Sequence, residues 1–213
     1  MFPVYSRSER VADAVVHVAG IGFGIVGAAA LIAAASAELP GREVAGLVVY
    51  SIGLIGMFAA SAGYNLATHP PLKARLRRLD HSLIFVMIAG SYTPFAIKIG
   101  GTAGVTLLAS VWLIAALGVL AKLLFPSRLD RLSVPLYLAQ GWCILFVLEQ
   151  FAATVPDWGI YLLVIGGLIY TSGVVFHLLE RLPFHNVIWH LFVLGGAMTQ
   201  YASIYGTVVL RWT

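Results

Sequence analysis

The chain has 213 residues, of which 60% are hydrophobic and only 10% charged, and its formal net charge is +4; its mean hydropathy is +0.93. That balance excludes a soluble globular domain and a disordered segment, and marks an integral membrane protein. A single cysteine, Cys143, excludes a disulfide framework and a cysteine metal site, and the small basic excess reads as membrane orientation in place of nucleic-acid binding.

The N-terminal stretch "MFPVYSRSERVAD" lacks the short apolar core and small-residue cleavage site of a secretory signal, so the first apolar run is expected to stay as a span. Seven apolar runs follow, at approximately 14–36, 44–67, 82–99, 105–125, 133–155, 160–179 and 187–210. Each is near the roughly 20 residues that a helix needs to cross the hydrocarbon core. Runs of this length without period-2 alternation predict helices and not a barrel, because helices satisfy their own backbone groups in lipid. The connections "AELPGRE", "IGGTAG" and "PDWG" are short and rich in Gly or Pro, which makes successive helices antiparallel neighbours. The predicted fold is therefore an all-α integral membrane protein, one seven-helix bundle forming a single domain over residues 1–213.

Polar residues in chain order gather at one depth. Glu9, Asp13 and His17 fall at i, i+4 and i+8, on one face of the first helix. Within that helix "GFGIVG" (22–27) matches a dinucleotide-binding spacing, but no strand precedes it, so its glycines are read as helix-packing residues and no nucleotide is expected. Ser61, Tyr64 and Asn65 close the second helix, with Ser61 and Asn65 one turn apart, and Asp80 with His81 opens the third. Gln140 and Glu149 stand apart on the fifth. His177 closes the sixth helix, while His185, Asn186 and His190 open the seventh, with Asn186 and His190 again one turn apart. Ionisable groups near hydrocarbon are costly and turn inward to partners, water or a metal, so this convergence reads as a buried site.

Lys and Arg set the orientation. Arg7, Arg10, Lys73, Arg75, Arg77, Arg78, Lys122, Arg128, Arg131 and Arg181 lie on one side of the spans, and Arg42, Lys98 and Arg211 on the other. Ten against three predicts a cytoplasmic N-terminus and an extracytoplasmic C-terminus.

Each of these residues also has a plainer reading. Asp80 would suit the N-cap of the third helix, stabilising its free N–H groups. His69, in the "THPP" loop, and His81 read as interfacial bystanders, and His177 is open between the two readings. Trp189 and Trp212 read as bilayer-edge anchors, and Glu149 either as lining an outer water cavity or as snorkelling.

Four blocks, "ERVADAVVHVAG", "SAGYN", "RRLDHSLIFVMIAGSYTPF" and "HNVIWHLFVLGGA", together resemble the hemolysin III family, which is related to the progestin and adiponectin receptors. The resemblance covers nearly the whole chain. It implies a multi-pass protein of the cell membrane, a bacterial inner membrane in particular, that works among membrane lipids on membrane integrity or lipid homeostasis. In the receptor relatives the site resembles a zinc centre, which by position implies Ser61, Asp80 and His190. Asn65 and Asn186 stand where those relatives have histidines, and asparagine amides are poor zinc ligands. Two arrangements stay open: His190, His185 and His17 rebuild a zinc site beside Asp80, with Asp13 and Tyr64 lining it, or the amides of Asn65 and Asn186 hydrogen-bond Asp80 without a metal. In the first, Asp80 is suited to deprotonate a water and Ser61 to orient it, for hydrolysis of an amide or ester in a lipid. A receptor or ion pathway is the third reading, and it would continue the polar residues toward Gln140 and Glu149.

Overall fold

The computed structural model of the protein describes residues 5–125 and 132–210. Among them are seven helical segments long and apolar enough to cross a membrane: Arg7–Ser36, Gly41–Leu66, Pro70–Ile99, Gly101–Leu124, Ser133–Ala152, Asp157–Leu178 and His185–Val209. Arg128, Arg131, Arg211 and Trp212 lie outside the described residues.

Two boundaries depart from the apolar runs and bear on the site. The first helix begins at Arg7 because Ser6 and Glu9 form a capping box: Glu9 N–H donates to Ser6 Oγ (3.2 Å), and Ser6 N–H donates to Glu9 Oε2 (2.8 Å). The third begins at Pro70, well before the apolar run at 82. Prolines occupy its first positions, where a fixed φ and a missing N–H cost nothing, and the Leu, Lys, Ala and Arg residues that follow are strong helix formers. Asp80 consequently does not open this helix. The N-cap is His69, and Asp80 is buried about three turns further on, so the capping role is corrected.

The fifth span is likewise not the single helix expected over 133–155. It runs as Ser133–Gly141, a 3₁₀ stretch Cys143–Val147 and a short helix Leu148–Ala152. Tyr92 of the third span stabilises the break, its hydroxyl donating to Gly141 O (2.6 Å) and accepting from Ile144 N–H (3.1 Å). Gln140, wholly buried, donates to Phe85 O (3.1 Å) and Val111 O (3.0 Å), joining the third, fourth and fifth spans.

The third span is the centre of the bundle: 61% of its most apolar stretch is buried, against 17% for the fifth and sixth. One apolar core, containing Leu31, Leu47, Tyr50, Leu54 and Ile204, joins the first, second and seventh spans. A second, containing Phe85, Val111, Ala115 and Cys143, joins the third, fourth and fifth. Lipid removes the usual hydrophobic drive for helices to associate, so small residues matter at their crossings. A Cβ on Gly24 would lie 3.3 Å from Ile55, and one on Gly27 would lie 3.1 Å from Tyr201. Two of the three "GFGIVG" glycines, Gly24 and Gly27, are thus helix contacts, while Gly22 faces open space. Outward, Val26, Ile52, Leu117 and Leu168 present an exposed apolar surface suited to acyl chains.

Candidate metal centre

Helical spacing brings the polar residues of the first, second, third and seventh spans to the N-terminal end of the bundle. Asp13, His17, Ser61, Asp80 and His190 are all buried there. His17 donates from Nδ1 to the backbone oxygen of Asp13 (2.7 Å), one helical turn back, and that Nδ1 lies 3.5 Å from Asp13 Oδ2. His190, across the bundle, makes a 2.6 Å bond from Nδ1 to Asp13 Oδ1. The opposite ring nitrogens meet on one hydroxyl: His17 Nε2 is 3.1 Å and His190 Nε2 3.4 Å from Ser61 Oγ. The two rings stand edge to face with centroids 4.5 Å apart. The Asp80 carboxylate is buried in the neighbourhood of Ser61, His190 and Asp13.

The two asparagines extend this network. Asn65 Nδ2 donates to Ser61 O (2.9 Å) and reaches Ser61 Oγ at 3.5 Å. Asn186 Nδ2 donates to Asn65 Oδ1 (3.2 Å) and to Asp13 Oδ1 (3.4 Å). Their hydrogen bonds therefore go to Ser61, to each other and to Asp13. Lys73 fixes the helix end that carries them, donating from Nζ to the carbonyls of Tyr64 (2.9 Å), Asn65 (3.3 Å) and Ala67 (3.1 Å). A cation there also complements the negative end of the helix dipole. Tyr64 lies under the same ammonium, 4.9 Å from its ring centroid.

His185 is placed elsewhere. Its ring packs against Tyr5, with centroids 5.8 Å apart, and its buried Nδ1 has no hydrogen-bond partner. Burial pushes the Tyr5 hydroxyl up to about 12, so it stays neutral above the site. Glu9 ties the first span to the start of the seventh by accepting from Phe184 N–H (2.9 Å), where Phe184 holds a left-handed φ of 59°. His81 points the other way round the third span, with Nδ1 3.2 Å from Lys122 Nζ. His177 lies tilted against Trp189, with centroids 5.1 Å apart, and His69 and Glu149 are exposed.

Donor chemistry decides whether a metal suits this cluster. Among the described residues, Asp13, His17 and His190 form a group whose potential ligand atoms all lie within 4.8 Å of one another. Two imidazoles and a carboxylate are a common zinc donor set, and tetrahedral zinc needs ligand atoms about 3.4 Å apart, so a shift of about an ångström suffices. The residues fit. The spacing of Asp13 and His17 on one face signalled that both look inward, but not that Asp13 joins both imidazoles.

Residues 5–201 match the family model described as haemolysin-III related. The chain belongs to the haemolysin III family. It is 33% identical to the "Hemolysin-3 homolog" of Bacillus subtilis (strain 168) over 202 residues, covering 94% of this chain and 95% of that one. It is 35% identical to "Hemolysin-3" of Bacillus cereus over 197 residues, covering 92% and 90%. It is also 30% identical to the "Monocyte to macrophage differentiation factor" of Homo sapiens over 166 residues, covering 74% and 68%. This haemolysin III chain is thus a multi-pass membrane protein with a buried His–Asp–Ser cluster at one end of its bundle.

Proposed function

We propose that the chain is a zinc-dependent hydrolase of ester or amide bonds in membrane lipids, set in the cell membrane with the cluster in the cytoplasmic leaflet. Its effect on membrane integrity or lipid homeostasis follows from that chemistry. The observation that carries the reading is the meeting of two imidazole Nε2 atoms on Ser61 Oγ, among buried carboxylates that structural packing alone does not require. The name of the Bacillus cereus relative, a hemolysin, fits an activity on membrane lipids.

His17 and His190 would hold the zinc, with a carboxylate beside them. When bound, zinc supplies Lewis acidity toward a substrate carbonyl oxygen. Asp80 takes a proton from the attacking water and returns it to the leaving alcohol or amine. Ser61 orients that water through its hydroxyl. Water thereby adds across the acyl bond, giving a fatty acid and an alcohol or amine.

Elemental analysis of the protein purified in mild detergent, with mass spectrometry of lipid ester and amide substrates in mixed micelles, tests the reading. About one zinc per chain is expected, with fatty-acid release that chelation stops and Asp80→Asn abolishes. A folded, zinc-free protein that releases nothing would refute it.

A further inference from the structure

We propose that the charged first turns of the third span, residues 72–79, form a ridge that binds the headgroup of an anionic phospholipid from the surrounding bilayer. Nothing in this assignment rests on the zinc reading.

Register fixes the depth of the ridge. A Cβ on Gly63 would lie 3.6 Å from Leu76, one on Gly56 would lie 3.7 Å from Leu83, and one on Gly53 would lie 3.4 Å from Met87. The second and third spans therefore run antiparallel in close contact, and residues 72–79 lie beside the last turns of the second, whose apolar run reaches 67. These basic residues stand against a helix that is apolar to its end, and not in an aqueous loop. Asp80 is just outside the apolar run that opens at 82. At 1.5 Å per residue, Arg78 and Arg75 lie about 3 Å and about 8 Å further out than Asp80. The polar zone of a bilayer is about 5–7 Å thick on each side, so the two arginines fall at the depth of lipid phosphates.

Helical period then sorts the side chains. Lys73, Leu76, Arg77 and Asp80, at i, i+3, i+4 and i+7, are the less exposed set and turn toward the bundle. Lys73 gives its ammonium to the carbonyls of Tyr64, Asn65 and Ala67. Leu72, Arg75, Arg78 and Leu79 fall on the other side and are all exposed. Arg75 and Arg78, at i and i+3, are surface neighbours with Cβ atoms about 5–6 Å apart. Two guanidinium forks at that spacing suit the oxygens of one phosphodiester. Leu72 and Leu79, two turns apart with the arginines between them, are 49% and 46% exposed. Orientation during insertion counts charge and is indifferent to helix face, so it does not account for leucines flanking the arginines on one side. A free anion would use the arginines alone. A lipid also covers the leucines with its glycerol and first acyl carbons, as interfacial helices of mixed basic and apolar face require.

Native mass spectrometry of the full-length protein in detergent, with phosphatidylglycerol or phosphatidylcholine added, tests the ridge. A chelator present throughout stops the proposed hydrolysis, so that lipid retention is read apart from it. The wild type is expected to retain phosphatidylglycerol in preference to phosphatidylcholine. Arg75→Gln and Arg78→Gln should each weaken phosphatidylglycerol binding about 5-fold and together about 25-fold, as about 1 kcal/mol per basic residue gives, with phosphatidylcholine unchanged. Both side chains are exposed, and either single variant serves if the double one does not fold. Arg42→Gln, at the other end of the second span, removes the same charge and should leave binding unchanged. A double variant that keeps the wild-type preference, or an Arg42→Gln that loses as much as Arg75→Gln, would overturn the ridge. Displacement of phosphatidylglycerol by millimolar inorganic phosphate would make it a free-anion site and overturn the lipid assignment.

Discussion

Ser61 Oγ is where the Nε2 atoms of His17 and His190 meet, at 3.1 and 3.4 Å, and where both rings are neutral with their hydrogen on Nδ1 its single hydrogen can satisfy only one of the two Nε2 lone pairs. Without metal, Ser61→Ala leaves those lone pairs with no donor from this residue, and each buried unmade bond costs about 1–3 kcal/mol. With metal bound, the lone pairs are already taken. Thermal unfolding in detergent should therefore show a clear loss of stability for Ser61→Ala under chelator and a much smaller one in zinc. Equal losses in both would mean that metal does not occupy the imidazoles. Much of this was legible in the sequence: one-turn spacings put Ser61 with Asn65, and Asn186 with His190, on single helix faces, and the ends of the apolar runs put them and Asp80 at a common depth. Atom-level roles were not, since spacing gives the face of a helix and not which nitrogen is tied. Asp13 is the main example, for it looked like one lining residue and instead engages both rings. His185 is another, because about 100° of helical rotation from Asn186 carries it under Tyr5.

Hydropathy shows where a helix meets lipid, not where it begins, and at the level of elements this set the limits of sequence reading. The charged turns before residue 82 are as helical as the apolar ones after it, because Pro70 starts the helix and its polar residues are good helix formers. The interruption after Gly141 was invisible for another reason: α and 3₁₀ segments share composition, and what stabilises the break is a hydroxyl from a different span. Tyr92→Phe tests that account. It removes the partner of Gly141 O and of Ile144 N–H together, in a region where lipid offers neither group a replacement. Stability in detergent should fall by about 2 kcal/mol, with faster amide exchange over 143–147. A change within about 0.5 kcal/mol and unaltered exchange would show that the break holds without the hydroxyl.

For the whole molecule, the seven spans imply termini on opposite sides, and the basic residues decide which side is which. Cytoplasmic loops retain Lys and Arg during insertion, and the ten-to-three distribution counted above favours an N-terminus inside. The smaller group is weaker than its number suggests, since Lys98 is committed within the bundle, donating to Thr207 O at 2.6 Å. Inside orientation would also open the polar cluster to the leaflet whose Lys73, Arg75, Arg77 and Arg78 sit just beyond it, where basic residues are drawn to anionic headgroups by about 1 kcal/mol each. A reporter fused after Thr213 should therefore signal from outside the cytoplasm. His69→Cys, at an exposed position between the second and third spans, should react with a membrane-impermeant maleimide only after the cells are opened; the native thiol, Cys143, is buried and gives little background. Labelling of intact cells together with a cytoplasmic signal from the C-terminal fusion would reverse the orientation, and with it the leaflet from which the proposed lipid substrate would reach Ser61 and Asp80.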